Sequence, residues 1–459
     1  NVLKKLPELE EWIDKDCINK FSFFSWKESL LCVHDPKTKE DLIKTNSFRR
    51  RLAYDELLAH QLAIAIIRNF NQKQKGIKFT QDSILVNNCI KNLPYTLTNS
   101  QKNVWEQICK DLKSENQMVR LLQGDVGSGK TIIALLSMLH AIDSGYQATI
   151  MVPTGILANQ HYGNFIKLLP SMHKKIILLT GKDKGKSKIE KLELIKFGEA
   201  KIIIGTTSLI QEDIKYNSLG IVVIDEQHKF GVFQRLAFTN KGKKPSILVM
   251  SATPIPRTLA LAAYGDMDES KLTEKPAGRL PIITKSLPLN KVNQLIDRLI
   301  NKLKYKQKAF WVCPLIEESE ELDLQAATER YRILEKKFNG KVLLLHGQLK
   351  ESEKENIMKK FKEEDFKILV STTVIEVGID IKEATTLVIE HAERYGLATL
   401  HQIRGRVGRS NTKSTCILLY NENLGENAKQ RISKMKETND GFEIAEKDLQ
   451  IRGAGEVLG

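Results

Sequence analysis

The stretch Leu121-Leu-Gln-Gly-Asp-Val-Gly-Ser-Gly-Lys130-Thr131 decides how the rest of the chain is read. An apolar run ends in Gly124, the pattern G-x-x-x-x-G-K-T follows, and an apolar helix-like run extends from Ile132 to Leu139. Strand, glycine loop and helix in that order are the context in which such a loop cradles phosphates. Glycine adopts positive φ and lets the backbone approach an anion closely. The loop N–H groups and the helix N-terminus form an electropositive nest. The pattern therefore assigns Gly124, Asp125, Gly127, Ser128, Gly129, Lys130 and Thr131 to a bound nucleotide. Lys130 reaches the β- and γ-phosphates and the Thr131 hydroxyl ligates Mg²⁺. A glycine-rich turn with a chance lysine is the bland alternative, and the flanking strand and helix weigh against it.

Working outward, apolar runs alternate with helical stretches. Ala148–Val152, Lys175–Leu179, Lys201–Ile204, Ile221–Ile224 and Ile247–Met250 each end in Thr, Ser, Gly, Asp, Glu or Pro-Thr. Continuous apolar runs predict strands buried on both faces of a parallel sheet. Ligands of such sheets bind at the carboxyl ends of the strands. Asp225-Glu226 stands at one of these ends. The first acid sits where Mg²⁺ is held, and the second is placed to activate a water. The adjoining Gln227 and His228 are candidates to sense the γ-phosphate. A second alternating region follows the linker Gly278-Arg279-Leu-Pro281, with runs at 310–313, 342–345, 368–370, 387–389 and 416–420. It has no second glycine–lysine loop. Its chemistry lies in His401-Gln402-Ile-Arg404-Gly405-Arg406-Val-Gly408-Arg409, whose arginines are spaced to reach a neighbouring γ-phosphate. A generic basic loop for nucleic acid is the alternative.

The expected architecture is α/β: two tandem parallel-sheet domains, a helical segment before them and a short helical element after them. The boundaries read from texture are 1–94, 95–275, 276–425 and 426–459. Residues 1–94 read helical, with the aromatic cluster Phe21-Ser-Phe-Phe24-Ser-Trp26 taken as a packing seam. Arg49 to Arg51 are open between phosphate contact and a solvated face. Composition bounds the rest. A chain of 459 residues exceeds one core. No uninterrupted apolar window of about 18 residues predicts a membrane span. The N-terminus lacks a signal-peptide core and a starting Met, so a fragment of a longer protein is expected. The formal charge of +15 favours a polyanionic partner, although a lysine-rich composition alone produces the same number. Six scattered cysteines without a C-x-x-C pair suggest neither zinc nor disulfides and fit a reducing cytoplasm.

These motifs resemble superfamily 2 helicases and, within them, the bacterial RecG family. The resemblance runs from about Phe48 to the last residue. It covers Gly124–Thr131, Pro153–His161, Gly205–Gln211, Asp225–Val232, Ser251–Thr258, Trp311–Glu320, Ser371–Asp380 and Gln402–Arg409. The tail Asp440–Glu456 resembles the family's translocation element. The related Mfd transcription-repair coupling translocases usually read D-E-E-H in the second motif and open the third with Thr. Gln227, Ser251 and the run Trp311-Val-Cys-Pro-Leu-Ile-Glu-Glu-Ser-Glu320 favour RecG.

The resemblance implies two RecA-like domains and an ATP-dependent translocase that remodels stalled forks and Holliday junctions in DNA repair and recombination. It implies ATP and Mg²⁺ as cofactors, with Gln101 joining the nucleotide-binding set. Thr131 and Asp225 would hold the metal, and Glu226, Gln402, Arg406 and Arg409 would carry catalysis. Branched or double-stranded DNA and a cellular single-stranded-DNA-binding protein are the implied partners, with a monomeric state, no membrane and a cytoplasmic location. The strand-end motifs around Pro153, Thr180-Gly181, Gly205 and Ser371 would touch DNA phosphates. The chain departs from the family pattern at Gly155, Thr207 and Ala454. No stretch resembles the family's OB-fold wedge, so a helicase core cut at both ends is expected. A non-catalytic relic conflicts with Lys130, Glu226 and Arg409. An unrelated P-loop kinase or transporter conflicts with the arginine pair in a lysine-free second domain.

Overall fold

Apolar runs of four to six residues without alternation cannot leave either face in water. In the computed structural model they assemble into two sheets whose strand pairings are all parallel. The structure describes residues 3–452 apart from 44, 73–74, 81–82, 227–237, 239–240, 242–243, 253–266, 277, 304–306, 315–319, 373–380, 382 and 409–411.

The first 73 residues form a compact unit of their own. It contains α1 (Lys15–Phe21), α2 (Trp26–His34) and the long α3 (Ser47–Gln72). Ser25 and Glu28 close a capping box at the start of α2. The aromatic cluster is a packing seam: Phe24 stacks on Phe48 at 4.4 Å and Phe23 meets Tyr54 at 5.3 Å. Of the arginine run, Arg51 has a role that is neither of the two expected. It is fully buried, donating to Glu11 at 2.8 and 2.9 Å, to Asp55 at 2.9 Å and to the Phe24 carbonyl at 3.1 Å. A buried guanidinium with its fork filled is an internal tie, not a phosphate contact.

The expected helical segment 1–94 divides after residue 73. The described residues that follow belong to the same unit as the first sheet. Ile77, Phe79 and, on α4 (Ile84–Lys91), Val86 and Cys89 enter the same core as α6 (Lys130–Asp143). Asp143 accepts from the Leu85 N–H at 2.9 Å and so covers the exposed start of α4. Apolar burial therefore draws this stretch to the first sheet although its texture is as helical as that of the residues before it.

The first sheet has seven strands in the order β3-β4-β2-β5-β6-β1-β7. These are β1 (Val119–Gly124), β2 (Gln147–Met151), β3 (Ile176–Leu179), β4 (Ile202–Gly205), β5 (Leu219–Ile224), β6 (Ser246–Ser251) and β7 (Asp268–Leu272). Its helices also include α5 (Asn99–Leu112), α7 (Gly155–Leu168) and α8 (Gly185–Lys196). The second sheet has six strands in the order β10-β11-β9-β12-β13-β8. They are β8 (Ile283–Pro288), β9 (Lys308–Val312), β10 (Val342–Leu345), β11 (Ile368–Ser371), β12 (Ala384–Ile389) and β13 (Thr415–Tyr420). Helices α9 (Val292–Lys302), α10 (Glu320–Lys337), α11 (Glu351–Glu363), α12 (Leu397–Arg404), α13 (Glu426–Glu437) and α14 (Gly441–Arg452) accompany it. Ile432 and Met435 of α13 and Ile444 of α14 share a core with Leu400 and Ile403 of α12. The helical element expected from residue 426 is thus built onto the second domain.

Strands β7 and β8 are absent from the sequence reading. Both are edge strands, one paired only with β1 and the other only with β13. Their sequences, Asp268-Glu-Ser-Lys-Leu and Ile283-Thr-Lys-Ser-Leu-Pro, lack an apolar run: polar residues interrupt both and neither is buried along its length, unlike the opposite edge strands β3 and β10, which are apolar throughout.

Candidate active site

The phosphate loop leaves β1 at Gly124 and enters α6 at Lys130. Gly127 has φ +79° and Gly129 φ +95°, both in the left-handed region that favours glycine. Gly129 is the N-cap of α6 and has no side chain to satisfy the first N–H groups of the helix. Those donors and the helix dipole suit an anion. Lys130 is buried and donates to the carbonyls of Gly124 at 2.6 Å and Asp125 at 3.0 Å. Burial pushes its pKa down, against the opposing charges of Glu226, Asp225 and Asp125. Gln101 comes from the first turn of α5, where Thr98 and Gln101 close a second capping box. Its Nε2 donates to the Ser128 carbonyl at 2.8 Å, so the residue supports the loop directly.

The acid pair stands on the next strand but one in the sheet order, at the end of β5. Asp225 is buried; its Oδ1 accepts from the Glu226 N–H at 2.9 Å, and its Oδ2 lies 3.1 Å from His161 Nε2 on α7. Burial acts to raise its pKa. The His161 hydrogen bond and charge, Lys130 and the Glu226 N–H outweigh it and hold the carboxyl below the usual range. Glu226 has φ +53°, an uncommon conformation for a residue with a side chain. The influence of both acids on Lys130 ties the pair to the loop.

The second domain meets this loop through α12 and the turn after it. His401 Nε2 lies 3.0 Å from Asp125 Oδ1. Gly405 faces Val126 so closely that a Cβ would come within 2.8 Å of the valine Cβ. Gln402 and Arg406 are buried, and the positive charge of Arg406 depresses the pKa of Lys130. Arg279, from the stretch joining the domains, lies against Gly127. Lys275 is 3.7 Å from Asp125 Oδ2. Burial works to raise the Asp125 pKa, but the His401 and Lys275 contacts bring it below the usual range.

Pro153, Thr180, Gly205 and Ser371 stand at the carboxyl ends of β2, β3, β4 and β11. Gln227, His228 and Arg409 lie outside the described residues, as do 253–258 and 373–380 of the motifs. Sequence reading missed His161, Lys275 and Arg279 as neighbours of the site, and also the ion pair of Lys182 with Glu355 on α11 at 2.6 Å. Each meets a residue distant in the chain, so no local pattern marks it.

Comparison with known proteins agrees with this geometry. A DEAD/DEAH box helicase profile matches residues 98–262, and a helicase conserved C-terminal domain profile matches residues 290–411. The chain is 44% identical to the ATP-dependent DNA helicase RecG of Bacillus subtilis over 94% of its own length and 63% of that protein. It is 43% identical to RecG of Streptococcus pneumoniae over 98% of its own length and 67% of that protein. It thus spans about two thirds of the length of these relatives. A solved structure of RecG bound to a three-way DNA junction superimposes with TM-score 0.81 and 41% identity, covering 98% of this chain and 59% of that one. The DEAD-box helicase Mss116 bound to single-stranded RNA, at 17% identity and TM-score 0.59, shares the fold. Two parallel-sheet domains, a phosphate loop facing an arginine-bearing helix and this extended identity lead to one assignment: the chain belongs to the RecG family of helicases.

Proposed function

We propose that the chain is the motor of an ATP-dependent DNA translocase that remodels branched DNA, such as stalled forks and Holliday junctions, in repair and recombination. The observation that carries this reading is the meeting of the phosphate loop with α12, at His401–Asp125 and Gly405–Val126. A motor needs such a junction, because nucleotide chemistry at one domain must be felt by the other. The RecG relatives supply the DNA substrate by name. An Mfd-like coupling translocase is the less favoured reading.

In this proposal Lys130 exchanges the two loop carbonyls for β- and γ-phosphate oxygens. Gly124, Asp125, Gly127, Ser128 and Gly129 form the cradle, which Gln101 supports. The residues suit Mg²⁺. Asp225 is held ionised, Thr131 offers a hydroxyl, and no group of three or more His, Cys, Asp or Glu converges among the described residues. Mg²⁺ is usually held by one or two protein oxygens together with substrate phosphates. MgATP, when bound, supplies the phosphoanhydride and a polarised γ-phosphate. Glu226 takes the proton of the attacking water. Gln402, Arg406 and Arg409 bring donors from the second domain to the charge that develops during transfer. Closure and reopening of the two domains then move duplex DNA across the strand ends around Pro153, Thr180, Gly205 and Ser371. Contacts there are to phosphates, so binding is sequence-independent and weakens with salt. The motor works as a cytoplasmic monomer, in the company of single-stranded-DNA-binding protein.

The test is the ATPase rate of this 459-residue chain with no DNA, linear duplex or a four-way junction, at two salt concentrations. Duplex DNA should stimulate turnover, and added salt should remove the stimulation. Turnover that ignores DNA overturns the proposal. A tenfold junction preference, about 1.4 kcal/mol, would locate a branch-reading surface within these residues.

A further inference from the structure

Asp125 is the second residue of the phosphate loop, yet groups from three other parts of the chain converge on it. Lys275 approaches Oδ2 at 3.7 Å. The backbone N–H of Gly441, the first residue of α14, adds a smaller influence that favours the ionised carboxylate. His401 Nε2 lies 3.0 Å from Oδ1. The other ring nitrogen of His401, Nδ1, is 3.0 Å from a guanidinium nitrogen of Arg404. A guanidinium has only donors and keeps its proton. The Nδ1 atom must therefore present a lone pair, and the ring proton sits on Nε2, donating to Asp125. The hydrogen-bond network thus selects a neutral ring and one tautomer.

The network continues beyond Arg404. Its other terminal nitrogen donates to the carbonyls of Met435 at 2.7 Å and Thr438 at 2.9 Å, at the end of α13. The members are buried: Asp125 is 9%, His401 6% and Arg404 1% exposed. Water cannot readily replace a lost bond there, so the chain of contacts is stiff. Asp125 also feels the N-terminal end of α14, where the helix dipole favours a carboxylate. A movement of Asp125 is therefore felt at both α13 and α14.

We propose that His401 is a positioning residue. As the Nε2–H tautomer it holds the phosphate-loop residue Asp125 to Arg404, and so couples nucleotide occupancy to the α13–α14 pair. This inference rests on the nucleotide-site reading above. A change at the loop moves Asp125, and the relay passes that movement to the helices that follow the arginine motif. The histidine touches no reacting atom in this role.

The experiment uses the full 459-residue chain in two independent measurements. The first is ¹⁵N NMR of histidine-labelled wild type, with the His401 signals identified by their loss in His401→Gln. One protonated nitrogen at Nε2 and one lone-pair nitrogen at Nδ1 are expected. Two protonated nitrogens, or a proton on Nδ1, overturn the tautomer and with it the relay. The second is a duplex-stimulated ATPase series at varied ATP. His401→Ala should lower kcat about tenfold, within the usual range of coupling between sites, with KM for ATP changed by less than about twofold. His401→Gln keeps a donor where Nε2 stood and should recover kcat to within about threefold of wild type. An unchanged kcat in the alanine variant overturns the proposal, as does a folded glutamine variant as slow as alanine. If wild type hydrolyses no ATP the nucleotide reading fails, while the NMR result still decides the tautomer.

Discussion

The carboxyl ends of β5 and β12 are counterparts. Each strand sits fourth in its sheet order, beside β2 in one case and β9 in the other. Each is followed by an acid and then by a residue with positive φ: Asp225 and Glu226 at +53° after β5, Glu390 and His391 at +49° after β12. The backbone device is the same, but the surroundings differ. Asp225 meets His161 and feels the charge of Lys130. Glu390 accepts from the Trp311 indole and from Arg330, at 2.5 Å each, and is spent on holding α10 to the sheet. The difference originates two strands away. β1 ends in the phosphate loop, whereas its counterpart β8 ends in Pro288 and a turn of 3₁₀ helix. A strand-end acid is thus a site or a strut according to what its neighbouring strands deliver.

The comparison breaks most severely with Lys130→Ala. ATP hydrolysis at saturating duplex DNA should fall to background while the melting temperature stays near that of wild type. Retained turnover would remove the first sheet's claim to the nucleotide. Glu226→Gln should next slow kcat by about 10²–10⁴-fold, the usual value of a general base, with ATP still bound. A collapse of ATP affinity with normal turnover would reassign Glu226 as a metal ligand.

The second sheet's contribution is probed by Arg406→Ala. A trans arginine is worth about 10³–10⁵-fold when it acts alone; here Gln402 and Arg409 share the charge, so a drop of roughly 10²-fold in kcat is expected. Michaelis series on the two proteins distinguish this from a pure affinity defect, which would place Arg406 in ground-state binding. Arg409→Ala should behave in the same way.

Glu390→Gln sharpens the contrast from the other side. Breaking its pair with the largely buried Arg330 should cost about 3 kcal/mol of stability, with kcat at low temperature changed by less than about twofold. A variant with normal stability and lost ATPase would show that the second strand end is also a site.

The smallest effect belongs to His140, buried on α6 with Nδ1 2.8 Å from Ser83 Oγ. Burial and the nearby Lys113 charge lower its pKa to about 4. The folded pKa lies below the unfolded value of about 6.5, so the unfolded chain binds the extra proton. The stability from this neutral ring is complete above about pH 6.5 and is lost as pH falls towards 4, by roughly 2 kcal/mol between pH 7 and 5. Denaturant titrations of wild type and His140→Phe at both pH values should differ by that amount; parallel pH profiles would discount the buried ring.

The sequence by itself determined the fold class and the chemistry that sits within one short stretch. Runs such as Ile221-Val-Val-Ile224 are apolar on both faces, and only a buried parallel sheet accommodates them. Gly127, Gly129 and Lys130 are legible for the same reason: backbone freedom, a helix start and a reaching cation are local properties of consecutive residues. Strands β7 and β8 were not legible, because polar residues break up their apolar positions, whereas the edge strands β3 and β10 keep a continuous apolar run. The place of residues 74–94 was decided by a core that their helical texture does not encode. The partners of the site were decided in the same way. Nothing near Asp125 in the chain announces His401, which lies 276 residues further on. Nothing near Arg51 announces Glu11. Whether a charged side chain is a tie, a strut or a reaching group depends on what packs opposite it, and in a chain of this length the opposite wall is supplied by folding.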